Sequence, residues 1–122
     1  LDNMDEATVG MAVARARDQA HHLIKIEVEA ASQAQVGECL ALGVEAILLD
    51  NMDDAALATA VRTVRAHERH SGHKVVLEAS GNMTLERLPH VAATGVDLIS
   101  MGALTHQARS VDLSMKLKLS PR

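Results

Sequence analysis

Acidic residues and glycines recur where apolar, strand-like runs end, and these are the positions at which the sequence could do chemistry. Glu29 and Asp50 each stand at the end of such a run. Ser80-Gly81 and Gly102 end two later runs, and His106 follows shortly after. Carboxylates suit ribose hydroxyls or Mg²⁺, while glycine loops that lead into helices present backbone N–H groups to phosphate. The combined pattern therefore favours a phosphorylated sugar as the ligand.

Each of these residues also has a simpler explanation. Glu29 could be a solvated strand end, Asp50-Asn51 could cap the next helix, and Ser80-Gly81-Asn82 could be only a turn. Taken singly, the simpler explanation is the commoner one. Taken together, the residues place acids on two strands and glycine loops on the next two, which predicts one concave rim.

Histidines and a single cysteine are the other residues of chemical interest. The string HERHSGH holds His67, His70 and His73 at the end of a predicted helix. His67 and His70 could share one helix face and bind a metal. Histidines near a helix C-terminus are more often surface residues, favoured there by the helix dipole. Cys39 lies inside a helical pattern, which predicts a small core residue rather than a reactive thiol.

The elements that must position these residues alternate between strand and helix. Strands are predicted at 23–30, 44–50, 73–79 and 96–101. Helices are predicted to begin near Asp5, Ser32, Asp53 and Thr84, and Ser32 with Gln35 forms a capping box. Such alternation through short loops predicts βαβ units and a parallel sheet. The predicted fold is α/β, a parallel (βα) half-barrel of about four strands that forms one domain over residues 1–122.

Both ends of the chain bear on assembly. Residues 112–119 alternate strictly, with Leu113, Met115, Leu117 and Leu119 on one side, which predicts an amphipathic C-terminal strand at an edge or interface. LDNM at residues 1–4 repeats LDNM at residues 49–52, so the N-terminus is expected to imitate the end of a strand. Because an open sheet has unpaired edges, we expect a homodimer.

Composition excludes several classes of protein. The 122 residues are 48% apolar and 23% charged, with a net charge of −4, as in a globular domain. No basic stripe points to nucleic acid, and no apolar run is long enough to span a membrane. One cysteine and the absence of a signal-peptide pattern predict a cytoplasmic protein. The complete absence of Phe, Tyr and Trp favours an edited or designed alphabet.

Five strings of the sequence resemble a known family. They are IKIEVEA, AILLDNM, LEASGNMT, TGVDLISMGALTH and VDLSMKL. In this order and spacing they resemble the C-terminal part of the quinolinate phosphoribosyltransferases, also called carboxylating nicotinate-nucleotide pyrophosphorylases. The resemblance runs from about residue 8 to residue 118. A paralogous family associated with molybdenum transport shares much of the pattern and stays open as an alternative.

The resemblance implies a reaction and a fold. Quinolinate and phosphoribosyl pyrophosphate would give nicotinate mononucleotide, pyrophosphate and carbon dioxide, with Mg²⁺, in NAD synthesis. The family fold is an N-terminal α/β sandwich followed by an α/β barrel, in a dimer that shares residues between its active sites. The sandwich domain and the first barrel strands are expected to be absent from this chain.

The resemblance also implies roles for individual residues. Glu29 and Asp50 would be the catalytic acids that face the ribose, with Asp50 also a ligand of Mg²⁺. Ser80, Gly81 and Gly102 would match the family's phosphate-binding loops, with His106 beside them. The site implied by the family and the site read from the strand ends therefore coincide.

Two departures from the family pattern keep a second function open. Leu1 and Met4 stand where the family has Lys and His in K-D-N-H, and the cations that grip the carboxylates of quinolinate lie mostly upstream. We therefore expect the chain alone to be an inactive barrel portion of the enzyme, with little affinity for quinolinate. The alternative is an engineered or reconstructed aromatic-free half-barrel with a structural or folding-model role and no catalysis.

Overall fold

The computed structural model describes residues 6–102, with side chains from residue 8 onward. The elements in chain order are α1 (Glu6–Gln19), β1 (Glu27–Ala30), α2 (Gln33–Ala41), β2 (Ala46–Asp50), α3 (Asp54–Ser71), β3 (Val76–Ser80), α4 (Leu88–Ala93) and β4 (Leu98–Ile99). All three strand pairs are parallel and the sheet order is β1-β2-β3-β4. This confirms the α/β class and is the arrangement of half of an eight-stranded barrel. The predicted strand at 112–119 and the LDNM at 1–4 lie outside the described residues.

Polar and glycine residues set the helix boundaries where the sequence predicts them. The Ser32 hydroxyl accepts a hydrogen bond of 3.3 Å from the backbone N–H of Gln35, as an N-cap should. Asp53 does the same for α3, accepting from the N–H of Ala56 at 2.7 Å. Gly72 ends α3 with a φ of +74°, a left-handed conformation that costs glycine no steric strain. Among the residues of the described range, no helix is both long and apolar enough to cross a membrane.

The strands are shorter than predicted at their N-terminal ends. Strand β1 begins at Glu27 rather than at residue 23, and Leu23 and Ile24 are 78% and 61% exposed. Glu27 pairs with Ala46, the first residue of β2, and the carbonyl of Ile26 still accepts from the N–H of Ala46 at 3.2 Å. Farther back, the N–H of Ile24 donates to the carbonyl of His21 in a turn and not to a neighbouring strand. The apolar alternation in the sequence therefore extends farther toward the N-terminus than the neighbouring strand does, and this made the predicted strand too long.

Helix α4 also begins later than predicted. Thr84 starts a turn in which its carbonyl accepts from the N–H groups of Arg87 and Leu88, both at 3.1 Å. The regular helix begins only at Leu88, immediately before Pro89. Proline lacks a backbone N–H, and the first helical turn is the place where that loss is tolerated. The loop after β3 is therefore seven residues long, from Gly81 to Arg87, instead of running directly from Gly81-Asn82-Met83 into a helix.

The two faces of the sheet differ in burial because successive strand residues point to opposite sides. One face packs against the helices, and its fully buried residues are Ala30, Ile47, Leu49, Leu77 and Ala79. Val28 and Ile99 lie on the same face and are partly buried. Aliphatic helix residues complete this layer, among them Val36, Leu57, Val64 and Val91. Within residues 8–102, no buried side-chain polar atom lacks a hydrogen-bond partner. An aliphatic core therefore suffices to cover one face of this sheet without any aromatic side chain.

Cys39 belongs to this core. Its side chain is fully buried between α2 and the sheet. Burial, with a smaller contribution from the neighbouring Glu38 charge, raises the pKa of the Cys39 thiol to about 11. Because the thiolate is the reactive form, the structure confirms the prediction of a core residue rather than a reactive thiol.

Four charged residues tie α3 to the N-terminal ends of β3 and β4. We call Arg65, Glu68, Lys74 and Asp97 the basal ion cluster. The Arg65 guanidinium lies 3.0 Å from Glu68 and 2.8 Å from both oxygens of Asp97. Glu68 accepts from the N–H of Val75 at 2.9 Å, and Asp97 accepts from the N–H of Leu77 at 2.8 Å. The carboxylates thus satisfy backbone donors where the strands begin.

Candidate functional site

The two acids predicted from the sequence lie at neighbouring strand ends. Asp50, the last residue of β2, stands opposite Ser80, the last residue of β3. Glu29 stands opposite Leu48, two residues before Asp50, so it is the diagonal neighbour of Asp50 on the same face of the sheet. The exposed Glu29 and half-buried Asp50 point away from the helix-covered core. We call Glu29, Asp50, Ser80, Gly81 and Gly102 the strand-end rim.

Gly102 completes the rim at the end of the fourth strand. The N–H of Ser100 donates to the carbonyl of Ala79 at 2.9 Å, which extends the β3–β4 ladder beyond β4 itself. Gly102 follows two residues later, in an exposed turn. The structure therefore brings five of the six predicted site residues to one edge of the sheet. His106, the sixth, lies outside the described residues.

Gly81 is held in a conformation and a space that only glycine fits. Its φ is +83°, which disfavours any residue with a Cβ. A Cβ placed on Gly81 would stand 2.8 Å from Cγ of Asn51 and 3.0 Å from the backbone nitrogen of Asn51. That same nitrogen donates to the carbonyl of Ser80 at 3.1 Å. The Gly81 backbone is therefore pressed directly against the residue that follows Asp50.

Asn51 connects the acid of β2 to the glycine loop of β3. Its side-chain Nδ2 donates to Asp50 Oδ2 at 2.8 Å, and its Oδ1 accepts from the Asn82 amide at 3.2 Å. Both asparagines have left-handed backbones, with φ of +52° and +50°. The simpler explanation of Asp50-Asn51 as a helix cap is wrong, because Asp53 is the N-cap of α3. Asn51 instead orients the carboxylate of Asp50.

Sequence reasoning missed Arg87, which joins two loops of the rim. Its Nε donates to Asp54 Oδ1 at 2.9 Å, and its Nη2 donates to the carbonyl of Met52 at 2.6 Å. Its Nη1 donates to the carbonyls of Gly81 and Asn82 at 3.3 and 3.4 Å.

A signal for Arg87 was nevertheless present in the sequence. The string Thr84-Leu-Glu-Arg puts a cation at the position where a capping box would have an acid, and where the helix dipole disfavours positive charge. A residue placed against local preference indicates a role in tertiary structure.

The donor set of the rim fits Mg²⁺ held jointly with a substrate. Glu29 and Asp50 supply hard carboxylate oxygens, the ligands that this ion prefers. Within residues 8–102, no three His, Cys, Asp or Glu side chains are grouped closely enough to hold a metal by themselves. Mg²⁺ is commonly bound by one or two carboxylates together with substrate phosphates and water, and the donor types at the rim match that pattern.

The histidines at the end of α3 do not form a metal site of this kind. Nδ1 of His70 lies 2.8 Å from the carbonyl of Ala66 on its own helix. Nε2 of His73 lies 3.1 Å from the carbonyl of Val44. Both rings therefore have backbone carbonyls as partners.

Acids also line the uncovered face of the sheet below the rim. Burial, the charge of Glu78 and a hydrogen bond with Glu78 together raise the pKa of Glu27. Glu78 also accepts a hydrogen bond from the hydroxyl of Ser100. A raised carboxyl pKa means that the folded state binds its proton more tightly than the unfolded state. Glu27 therefore opposes folding once the pH exceeds its ordinary value of 4.5.

We expect Glu27→Gln to stabilise the protein at pH 7, because the neutral amide removes the repulsion from Glu78. The gain in the free energy of unfolding should shrink as the pH falls toward 4.5 and the native carboxyl becomes protonated. Urea unfolding at several pH values measures the effect. Glu86→Gln is the contrast, because the pKa of Glu86 is lowered by its backbone N–H and by Thr84. Glu86→Gln should lower the free energy of unfolding at pH 7. If both variants raised the free energy of unfolding, the pKa directions given for Glu27 and Glu86 would be contradicted.

Comparisons with known proteins agree with this geometry. The family described as "Quinolinate phosphoribosyl transferase, C-terminal domain" matches residues 2–116. A probable nicotinate-nucleotide pyrophosphorylase [carboxylating] of Bacillus subtilis is 40% identical over 106 residues, which cover 87% of this chain and 34% of that protein. The human nicotinate-nucleotide pyrophosphorylase [carboxylating] is 36% identical over 109 residues, covering 89% and 35%.

A solved structure matches in three dimensions as well. The nicotinate-nucleotide pyrophosphorylase of Francisella tularensis superposes with a TM-score of 0.71 at 31% identity, covering 87% of this chain and 36% of that one. The chain thus spans about a third of the length of the relatives that it matches. Since the family match extends over nearly all of its residues, the chain belongs to the quinolinate phosphoribosyl transferase family, within the C-terminal domain.

Proposed function

We propose that the strand-end rim is the phosphoribosyl-binding part of a quinolinate phosphoribosyltransferase, an enzyme of NAD synthesis. The observation that carries the proposal is the junction of β2 and β3. There Asp50 and Ser80 stand in register, and the glycine of the next loop packs against Asn51. A carboxylate and a glycine loop at adjacent carboxyl ends suit a ligand that has both hydroxyls and a phosphate.

In this proposal the acids and the loops have different tasks. Transfer of a phosphoribosyl group breaks the bond between the sugar carbon and pyrophosphate and joins that carbon to the nitrogen of quinolinate. Positive charge develops on the sugar as the pyrophosphate leaves, and carboxylates at Glu29 and Asp50 stabilise it. Backbone N–H groups of the Ser80-Gly81 and Gly102 loops hold the phosphate on C5 of the ribose, and His106 would stand beside them.

The cofactor of the proposed reaction is Mg²⁺, which would neutralise charge on the departing pyrophosphate. Asp50 is the protein ligand that we assign to it, oriented by its hydrogen bond from Asn51. Quinolinate carries two carboxylates and needs paired cations for tight capture. Because this chain spans about a third of its relatives, we assign quinolinate binding to the complete enzyme and only phosphoribosyl binding to these residues.

Assembly and location are parts of the same proposal. The described sheet has β1 and β4 at its two edges, and its inner face has half-buried Leu48 and exposed Leu98. Unpaired edges favour association with further strands, which supports the homodimer expected from the sequence. The mass of the chain in solution is the measurement for it. The cytoplasmic location stays a prediction that rests on the single buried Cys39.

Titration with ribose 5-phosphate tests the proposed ligand on the chain itself. We expect the backbone amide resonances of Gly81 and Gly102 to shift with an affinity in the millimolar range, because their N–H groups need no other part of the enzyme. Each charge-assisted hydrogen bond contributes about 1.5–3 kcal/mol at best, less the cost of immobilising the ligand.

Gly43 and Gly72 supply internal references, since both precede strands and lie at the opposite end of the sheet. Their amides should stay in place throughout the titration. Ribose without phosphate should leave all four glycine signals nearly unchanged. If Gly81 and Gly102 remain unmoved in concentrated ribose 5-phosphate, or if all four glycines move alike, the proposed ligand is wrong.

A further inference from the structure

The guanidinium of Arg87 donates its hydrogen bonds to protein groups. Its three guanidinium nitrogens donate to one carboxylate and three backbone carbonyls on two separate loops. The side chain is only 20% exposed, and Asp54 balances its charge. A guanidinium committed in this way is poorly placed to bind a ligand anion directly. Its contribution to the site must come through the loops that it holds.

Holding a carbonyl also fixes the direction of an N–H group. A trans peptide is planar, so its C=O and the N–H of the following residue point in opposite directions. Because Arg87 holds the carbonyls of Gly81 and Asn82, it directs the N–H groups of Asn82 and Met83 away from itself. Arg87 therefore orients the N–H groups of Asn82 and Met83, the two backbone donors that follow Gly81 in the glycine loop.

The second loop is oriented by the same group. Arg87 holds the carbonyl of Met52, one residue after Asn51, whose side chain orients Asp50. The planar fork of arginine presents several donors in fixed directions, whereas lysine offers a compact charge on a flexible stem. One side chain thus couples the loop after the acid of β2 to the glycine loop after β3.

We propose that Arg87 is a positioning residue that sets the glycine loop and the Asp50 loop in the relative geometry that binds the ribose phosphate. The inference rests on the proposed function, since the phosphate is the ligand assigned there. It adds a specific requirement: the bridge between the two loops must be a guanidinium.

Substitution of Arg87 with two readouts tests the proposal. Arg87→Gln should shift the amide resonances of Asp53, Asn82 and Met83 in the free protein and speed their hydrogen exchange. Its affinity for ribose 5-phosphate should fall about tenfold, because the donors are no longer held in place before binding. Arg87→Lys should restore the charge but only part of the affinity.

Arg62→Gln is the matched control, because Arg62 is exposed and donates to Thr59 on its own helix.

The outcomes separate this inference from the proposed function. If the wild-type chain binds ribose 5-phosphate and Arg87→Gln binds it equally well, Arg87 is not a positioning residue. Full rescue by Arg87→Lys overturns the requirement for a guanidinium. If the amide resonances of Gly81 and Gly102 in the wild type do not shift with ribose 5-phosphate, the proposed function is wrong. The proposal that Arg87 positions loops for a phosphate is then wrong as well. In that case, shifts of the loop amide resonances in Arg87→Gln would show only that Arg87 joins the two loops structurally.

Discussion

Gly81→Ala is expected to abolish ribose 5-phosphate binding and to lower the free energy of unfolding by about 3 kcal/mol. Two effects add at this position. A left-handed backbone costs about 1–2 kcal/mol for a residue with a Cβ. The new methyl group would also stand 2.8 Å from Cγ of Asn51, so the Asn51 side chain has to leave its place.

Movement of the Asn51 side chain would break hydrogen bonds to the loop after β2 and to the loop after β3. Its amide would lose the hydrogen bonds to Asp50 and Asn82, each worth about 1 kcal/mol. The carboxylate of Asp50 and the glycine loop would then lose their common anchor. Binding should therefore suffer more than stability, because both proposed contacts to the ligand are displaced at once.

Gly72→Ala is the matched control for this prediction. Gly72 has a similar φ of +74°, but a Cβ there would meet nothing within 4 Å. We expect it to cost only the backbone strain, about 1–2 kcal/mol, and to leave ligand binding intact. Urea unfolding and the titration with ribose 5-phosphate measure both variants. Equal losses of stability in the two variants would show that the close approach to Asn51 does not matter.

The position of the rim could be predicted from the sequence because its residues are placed by strand ends alone, while its ligand stays a prediction. Asp50 and Ser80 follow apolar runs, and any parallel sheet brings the ends of such runs to one edge. Arg87 and Asn51 could not be assigned in the same way, because their partners are up to 35 residues apart in sequence. A contact between two loops depends on how the strands are arranged, which periodicity does not report.

A repeated local pattern became recognisable only with the structure. Asn51-Met52-Asp53 and Asn82-Met83-Thr84 each contain a left-handed asparagine and a buried methionine. The third residue then accepts a hydrogen bond from the N–H three positions on, at 2.7 Å for Asp53 and 3.3 Å for Thr84. The same residue types occur at Asn3-Met4-Asp5, outside the described residues. The LDNM at residues 49–52 is thus one instance of a pattern by which two described strand ends turn toward the next helix.

Arg65→Met is expected to lower the free energy of unfolding by about 3 kcal/mol at pH 7, because it removes the central cation of the basal ion cluster. Glu68 is only 6% exposed and would keep just Lys74, 3.5 Å away and largely in solvent, as a counter-charge. Removing one partner of a buried pair is costly because the other charge stays desolvated. Asp97 is half-exposed and contributes less to the loss.

The effect should depend on pH in a definite direction. Burial alone would raise the pKa of Glu68, but the N–H of Val75 and the charges of Arg65 and Lys74 outweigh it and lower that pKa. For Asp97, hydrogen bonds from Arg65 and Leu77 likewise outweigh burial and lower the pKa. Carboxyls with lowered pKa stabilise the fold above their ordinary values, near 4, and lose that contribution as the pH falls through the folded values.

Urea unfolding of the wild type and Arg65→Met from pH 7 down to 3 measures both the size and the direction of the effect. The difference between them should be largest near neutrality and shrink below about pH 4, where protonated carboxyls no longer need the guanidinium. Arg62→Met is the matched control on the same helix, since Arg62 is exposed and bonds only within α3 in the part of the chain that the structure describes. It should stay within about 0.5 kcal/mol of the wild type at every pH. A loss for Arg65→Met that is constant from pH 7 to 3 would mean that packing of the arginine stem, rather than its charge, stabilises this end of the sheet.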